Sequence, residues 1–454
     1  MRRRGLVVLA ATLALALAGC DWPMFRSGAA RTGFTPDRSI SLSAVSTGGA
    51  DPAWTGRTTG VVESSPAVVH GVVYVGDNAH KLYAFDASGT TNCSGSPKSC
   101  APLWTATRGG SVGVDLSSPA VVNGVVYIGS ADDKLYAFDA SGATNCSGSP
   151  KTCAPLWTAT TGGLVFSSPA VVNGIVYVGS DDDKLYAFDA SGTTNCSGSP
   201  KVCRPLWTAT TGGVVRASPA VAGGIVYVGS GDGKVSAFDA AGATNCSGSP
   251  KTCVPLWTAA TAGEVFFSSP AVASGVVYVG AGGLGSSNTL YAFDAAGKKQ
   301  CSDSPKVCHP LWTATTAHAA SPPAVAGGVV YVGTFGGPLY AFDAAGRTGC
   351  SGAPKRCAPL WTAPTGAFSE GSSAAVANGV VYIGSGESCC VGQLLAFDAA
   401  GTANCSGTPK TCTPVWRSGS QSFGPITSSP VPANRFVYVG DVPGLGGLLA
   451  FRFG

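Results

Sequence analysis

Eight times along the chain a segment close to Ser-Ser-Pro-Ala leads into an apolar run, and the residues just before it are where the copies differ. These positions hold Glu63, Asp115-Leu116, Phe166, Arg216, Glu264 with Phe266-Phe267, His318, and Ser369-Glu370. Carboxylates in such places can act as a general base or a cation ligand, and an arginine can hold an anion. Phe166, Phe266, Phe267 and Phe335 could supply aromatic subsites for a carbohydrate. A second reactive feature is Cys389-Cys390, because adjacent cysteines can close a strained eight-membered disulfide ring. The bland alternative for that pair is a rigid disulfide at a loop tip. None of these groups does chemistry unless the chain gathers them, so the frame comes next.

That frame is a repeat, clearest from Ser167 to Gly213. Val171-Val172 and Ile175-Val176-Tyr177-Val178 flank Asn173-Gly174, a dipeptide suited to a type I′ hairpin because both central residues need positive φ. Ser180-Asp181-Asp182-Asp183 is a second polar turn, Leu185-Tyr186-Ala187-Phe188 a third strand, and Leu206-Trp207-Thr208 the centre of a fourth. The unit reads as four antiparallel strands, A to D. Tyrosines from Tyr74 to Tyr438 mark eight B strands at spacings of 50 to 56 residues, and phenylalanines from Phe85 to Phe451 mark eight C strands. A period in this range, with four strands per unit, predicts a β-propeller. Only seven tryptophans, Trp104 to Trp416, mark D strands within the repeats. Pro52-Ala53-Trp54-Thr55 precedes the first A strand and would supply the eighth, closing the ring without a free edge. The expectation is an all-β, eight-bladed propeller whose N-terminal strand completes the last blade.

Strands of a propeller run outward from the axis, so B–C and D–A loops share one face and A–B and C–D loops the other. The variable residues would therefore ring the mouth of the central channel, the default place for a ligand or a protein partner. Scattered surface charge around a solvent-filled channel is the competing expectation. Asp132-Asp133 and Asp181-Asp182-Asp183 invite a calcium reading but lack the length and Gly-punctuated spacing of a calcium loop. They fall where a hairpin turn wants Asp, Asn or Gly, as does Gly231-Asp232-Gly233. Gly282 to Asn288 is a longer B–C loop with no helix after it, so it is not a phosphate cradle.

Composition agrees with a turn-rich β protein: 454 residues, 64 Gly, 30 Pro and only 11% charged residues. Arg2, Arg3 and Arg4 precede an apolar stretch, Gly5 to Ala18, too short to span a membrane comfortably and typical of an export signal. Leu17-Ala18-Gly19-Cys20 resembles a bacterial lipobox, whose cysteine is lipidated and becomes the first mature residue. The expected organisation is a signal peptide over 1–19, a lipidated N-terminal segment over 20–49, and the propeller over 50–454. Lipid on Cys20 would hold the protein on the outer face of a bacterial membrane. Asp21 resembles the inner-membrane retention signal of enteric bacteria. Without the leader's three arginines the 28 basic residues fall to 25 against 24 acidic ones, so no basic face for nucleic acid is expected.

Of the 17 cysteines, fourteen form C-x6-C pairs between strands C and D. They are Cys93/Cys100, Cys146/Cys153, Cys196/Cys203, Cys246/Cys253, Cys301/Cys308, Cys350/Cys357 and Cys405/Cys412. Export favours seven local disulfides over zinc, since these loops offer no closely spaced cysteine pairs with histidine partners. The chain-entropy model gives each closed loop roughly 2–3 kcal/mol at most. The disulfide loops are expected to decorate the face opposite the variable residues, each stapling a lengthened C–D turn. No C-x-x-C-H occurs, which excludes an attached c-type haem.

The recurring Tyr-Ala-Phe-Asp-Ala, followed by Gly and then Leu-Trp, resembles the repeat of pyrroloquinoline-quinone-type (PQQ-like) propellers. Asp21-Trp22-Pro23-Met24-Phe25-Arg26 with Arg31-Thr32-Gly33 is similar to the N-terminal segment of bacterial members. The resemblance implies that Ala, Gly and Trp dock neighbouring blades. It leaves function open between two kinds of member. One is a non-enzymatic envelope lipoprotein that binds or scaffolds a protein partner or extracellular ligand as a single propeller, with no cofactor and no metal. The other is a dehydrogenase with PQQ and Ca²⁺ in the channel mouth. For the latter, Glu63, Asp115, Glu264 or Glu370 would be base or ligand, Arg216 an anion holder, and Cys389-Cys390 a cofactor contact. No counterpart of the axial stacking tryptophan is visible, so the binding protein is the first expectation.

Overall fold

The computed structural model describes residues 21–110, 116–266, 268–283, 288–366, 372–386, 392–419, 424–441 and 447–454. In the third repeat, strands Ala170–Val172, Ile175–Ser180, Lys184–Asp189 and Trp207–Thr210 form one antiparallel sheet. Asn173 and Gly174 take φ of 50° and 78°, as the first hairpin turn requires. Register pairs Val176 with Phe188 and Ala187 with Trp207. All these strands are buried along their centres, because each sheet packs a neighbour on both faces. Eight such sheets make the eight-bladed propeller.

The hydrophobic cores lie between blades. Tyr74 and Trp104 of blade one pack with Val121, Ile128 and Phe138 of blade two, and the same set recurs around the ring. Burying one such large apolar side chain contributes about 1.5–3 kcal/mol. Polar groups fix the seam. The Tyr74 hydroxyl and the Trp104 indole N–H both donate to the Ala140 carbonyl of the next blade, at 3.0 and 3.1 Å. Two residues on, Gly142 sits at φ +63°, where a β-carbon would overlap the Trp104 indole. This explains the Ala-x-Gly spacing of the repeat in terms of blade docking.

Trp54–Arg57 pairs antiparallel with Gly447–Arg452, Trp54 opposite Ala450, so the N-terminal strand completes blade eight. At the seam between blades seven and eight, Phe453 occupies the position of the docking alanine. Its ring meets Trp416 edge-on, with centroids 4.9 Å apart, and the Trp416 indole donates instead to the Gly48 carbonyl, at 3.1 Å.

All seven C-x6-C pairs form disulfides: Cys93–Cys100, Cys146–Cys153, Cys196–Cys203, Cys246–Cys253, Cys301–Cys308, Cys350–Cys357 and Cys405–Cys412. As expected, each lies in a lengthened connection between strands C and D, but the loop is a strand pair built into the neighbouring sheet and not a free decoration. Cys146–Ser147 and Thr152–Cys153 form a small hairpin that reaches back to the preceding blade and pairs, in parallel, with its outermost strand, Trp104–Thr107. Each disulfide hairpin thus adds two strands to the sheet before it, and seven of the eight sheets are six-stranded. The exposed outer edge of the blade is covered, as an unpaired strand edge demands.

This pairing also corrects where the sulfurs lie. The second cysteine of each pair is not a surface group: Cys100, Cys153, Cys203, Cys253, Cys308, Cys357 and Cys412 are all buried. Each belongs to a hydrophobic core between blades. The cause is the register, which sets Cys100 opposite Gly56, Cys153 opposite Ala106 and Cys203 opposite Ala159. The first cysteine of each pair stays half-buried at the hairpin's outer strand. These fourteen residues are part of the frame and take no place in a ligand site.

Candidate functional site

The residues after Asp21 thread the axis. Trp22 bridges Val68 of blade one, and the carbonyls of Pro23, Ala29, Ala30, Thr32 and Gly33 accept the N–H groups of Val121, Val221, Val272, Val325 and Val376. Phe34–Thr35 then adds in parallel to the innermost strand of blade seven, Ala375–Ala377. Blade eight has Pro432 at the corresponding position, which has no N–H to satisfy. The segment therefore caps the inner strands of blades one, two and four to seven and leaves by the A–B loop face, where Asp37 accepts from the Asn434 N–H.

Two arginines hold this plug. Arg26 donates to the carbonyls of Pro322 and Pro323, and Arg31 to those of Pro219, Ser168 and Pro169. Both are fully buried, and desolvation pulls each guanidinium down to about 9, still protonated near neutrality. The channel is thus closed rather than solvent-filled. Phe25 rests against Arg31 at 5.4 Å and forms the floor of what remains.

Above that floor is a cavity of about 340 Å³ on the B–C and D–A loop face. Its outer tier consists of Glu63, Leu116, Phe166, Arg216 and Phe266, and its inner tier of serines from the Ser-Ser-Pro-Ala segments. The Arg216 guanidinium lies between two rings, 4.9 Å from the centre of Phe166 and 4.5 Å from that of Phe266. Asp181 clamps it edge-on, with Nε–Oδ1 at 2.9 Å and Nη2–Oδ2 at 2.8 Å. The result is a rigid wall built from loops of three successive blades.

Of the rim residues expected from sequence, Glu63, Phe166 and Arg216 line the cavity together. Glu264 and His318 do not; both are exposed, with His318 turned against Gly337. Cys20, Asp115, Phe267, Glu370, Cys389 and Cys390 lie outside the described residues. Phe335 joins Phe166 and Phe266 at the wall. Sequence reasoning does not find Phe25 as a lining residue, although it stands in a segment that must pass between the leader and the closing strand. It also treats Asp181 only as a turn residue. The signal is present: Asp181 has Ala131 and Gly231 as counterparts in adjacent blades, and Arg216 is equally private to its own repeat. The neighbouring aspartates are turn residues. Asp182 accepts from Lys184 and Tyr186, and Asp183 takes φ of 64°. Burial pushes the Asp182 carboxyl up, but those hydrogen bonds outweigh it and hold it below the usual range.

The quinone–calcium pair finds a poor match here. Glu63 is the one carboxylate among the described lining residues, and no group of three or more His, Cys, Asp or Glu among the described residues could hold a metal. Phe25 replaces a broad axial platform, and the wall's arginine is already clamped by Asp181. The described lining residues do not by themselves fit that pair, and no redox step follows from them.

Among solved structures the chain is similar to BamB from Moraxella catarrhalis, with 15% identity, 87% of this chain and 98% of that one covered, and a TM-score of 0.56. It is similar to the quinohemoprotein alcohol dehydrogenase from Comamonas testosteroni, with 14% identity, 96% and 80% covered, and a TM-score of 0.62. It also matches the computationally designed Ika8 protein, with 12% identity, 88% and 99% covered, and a TM-score of 0.59. At these identities the likeness is one of fold. No curated protein sequence matches the chain. The family model described as outer membrane protein assembly factor BamB matches residues 20–148, 101–244 and 196–405. Together those matches take in most of the chain, from residue 20 to the seventh blade, and the chain belongs to that family of PQQ-like repeat propellers.

Proposed function

We infer that the protein is an exported propeller, anchored by lipid on Cys20, that serves the cell envelope as a binding or scaffolding module. Its B–C and D–A loop face takes a protein partner or an extracellular ligand. One observation carries this reading: the axis is plugged from one face, and a rigid aromatic cavity is left open on the other. Asp21 supports the orientation. Its carboxylate accepts from the His70 N–H in an A–B loop, at 3.2 Å, so the anchor would attach on the face opposite the cavity. The binding face would then point away from the lipid. Seven disulfides are consistent with an oxidising compartment outside the cytoplasm. The family's description as an outer-membrane assembly factor supports an envelope protein as the partner.

The test is chemical cross-linking in the native membrane, followed by purification and mass spectrometry, with wild type beside Cys20→Ala. The expected result is labelled lipid on wild type alone and a partner cross-linked through loop-face residues. Cross-links confined to the opposite, A–B loop face, or a Cys20→Ala protein still held by the membrane, would sink the reading.

A further inference from the structure

Below the Phe166–Arg216–Phe266 wall, Ser65, Ser118, Ser168, Ser218 and Ser269 form an arc around Phe25, all buried. The backbone N–H of each serine donates to the hydroxyl oxygen of the serine in the next blade: Ser65 to Ser118 at 2.9 Å, Ser118 to Ser168 at 3.0 Å, Ser168 to Ser218 at 2.9 Å and Ser218 to Ser269 at 2.9 Å. The run continues backward through Ser429, which donates to Ser65 at 2.9 Å, and Ser373, which donates to Ser429 at 3.1 Å. Each hydroxyl oxygen is thus occupied as an acceptor, while its own proton has no acceptor among the described residues. Pro322 interrupts the arc in blade six, with neither a hydroxyl nor an N–H to offer. Five O–H donors therefore face one small space.

Beneath them lie two charges that lack a counter-ion. Arg26 and Arg31 hydrogen-bond only to carbonyl oxygens, and no carboxylate pairs with either among the described residues. Buried cations normally sit beside an anion, because isolated charge in a low-dielectric interior is costly. The cavity's closed end is therefore positive and rich in donors, while its walls are aromatic and aliphatic apart from Glu63 at the outer tier and the Asp181-paired Arg216.

We propose that this cavity binds a small organic carboxylate, its oxygens on the serine arc above Arg31 and its apolar body against Leu116, Phe166, Phe266 and Phe335. The proposal rests on the loop face being a binding face and names the ligand class for it. The serine hydroxyls supply directional donors, the buried arginines supply the field, and the Phe166–Arg216–Phe266 wall sets a slot of fixed width.

Calorimetric titration of the purified full chain with 4-phenylbutyrate, octanoate, 4-phenylbutanamide and 4-phenylbutylamine tests it. At least one acid should bind one-to-one, tenfold or more tighter than the neutral amide and the cationic amine. Leu116 is 41% exposed and lines the cavity, so it can be changed without loss of the fold. Both Leu116→Glu and Leu116→Lys lose the apolar contact, but only the glutamate repels the ligand, so Leu116→Glu should weaken the acid at least tenfold more than Leu116→Lys. Equal affinity for acid and amide, no binding of either acid, or equal effects of the two Leu116 variants would overturn the assignment. Any of those results obtained while the cross-linked envelope partner persists removes this ligand and leaves the binding-propeller reading standing.

Discussion

Tyr438, in the last blade, donates its hydroxyl to the Ala87 carbonyl in the first, at 2.9 Å across 351 residues of sequence. The same bond is made between adjacent blades by Tyr177 and Ala240, at 2.9 Å. Ring closure therefore uses the contact that joins any two neighbours. Tyr382 is the exception: Phe453 stands where its alanine would be, and its buried hydroxyl has no partner among the described residues.

Tyr438→Phe should therefore cost about 0.5–1.5 kcal/mol, the usual net value of one buried hydrogen bond. Tyr382→Phe should be neutral or slightly stabilising, because it removes a hydroxyl that is buried without return. Denaturant unfolding of the two variants under one condition checks the contrast. Equal losses would mean that the hydroxyl bond is not what matters at the closing seam.

The disulfide hairpins make a different prediction. Cys146→Ser with Cys153→Ser frees the hairpin that covers strand Trp104–Thr107. Stability should fall by at most roughly 2–3 kcal/mol from the lost loop constraint. A second effect should be visible even where the blade survives: uncovered strand edges promote self-association. Size-exclusion chromatography of the double variant should show oligomers that wild type lacks. A strictly monomeric variant with unchanged stability would deny the hairpin its covering role.

How much of this is legible beforehand follows from where the repeat constrains the chain. Tyr, Phe and Trp at fixed spacing mark the blades, and the lone Trp54 marks the closure, because each is needed in every sector. The cysteine spacing shows the disulfides but not the hairpin's backward pairing, since Cys-Ser and Thr-Cys carry no sign of which strand they will meet. The burial of Cys153 and its counterparts follows from that pairing and is hidden with it. The plug escapes for a related reason. Phe25, Arg26 and Arg31 occur once, so no internal comparison exposes them, and their partners are carbonyls common to every residue type. Arg216 and Asp181 form the intermediate case, each visible as private to its own repeat but legible as a pair only once the loops are placed.

Acid should weaken the ring in a defined window. Asp139 follows strand C of blade two, and burial tends to raise its carboxyl. Hydrogen bonds from the Thr144 N–H and from Ser141 outweigh that and hold it at about 2, below its ordinary 3.8. Asp86, Asp189, Asp239, Asp343 and Asp398 are lowered by equivalent bonds. The unfolded chain thus binds protons more readily than the folded one, so stability rises with pH here. It should be fully present above about pH 4 and decline as pH falls towards 2. Urea midpoints measured from pH 6 to 2 should follow that course, with a shallower fall in Asp139→Asn. A midpoint independent of pH through this window would contradict the assignment.

The last prediction concerns the axis and separates its two kinds of arginine. Arg31→Met keeps much of the side-chain length but removes every donor, leaving the carbonyls of Pro219, Ser168, Pro169 and Phe25 without that partner. Each buried polar group left unsatisfied costs about 1–3 kcal/mol, partly offset because the variant no longer buries a charge. The net loss should be at least about 3 kcal/mol. Arg216→Met breaks an ion pair whose arginine is one-third exposed, at 33%, together with two ring contacts. Partial exposure screens such a pair to about 0–1 kcal/mol, and each cation–π contact adds about 0.5–1 kcal/mol, so that variant should lose less than about 3 kcal/mol. Chemical denaturation at pH 7 measures both. Should Arg31→Met prove as mild as Arg216→Met, the N-terminal segment would be a passenger in the channel, and the closed axis would have to be held by the inner strands alone.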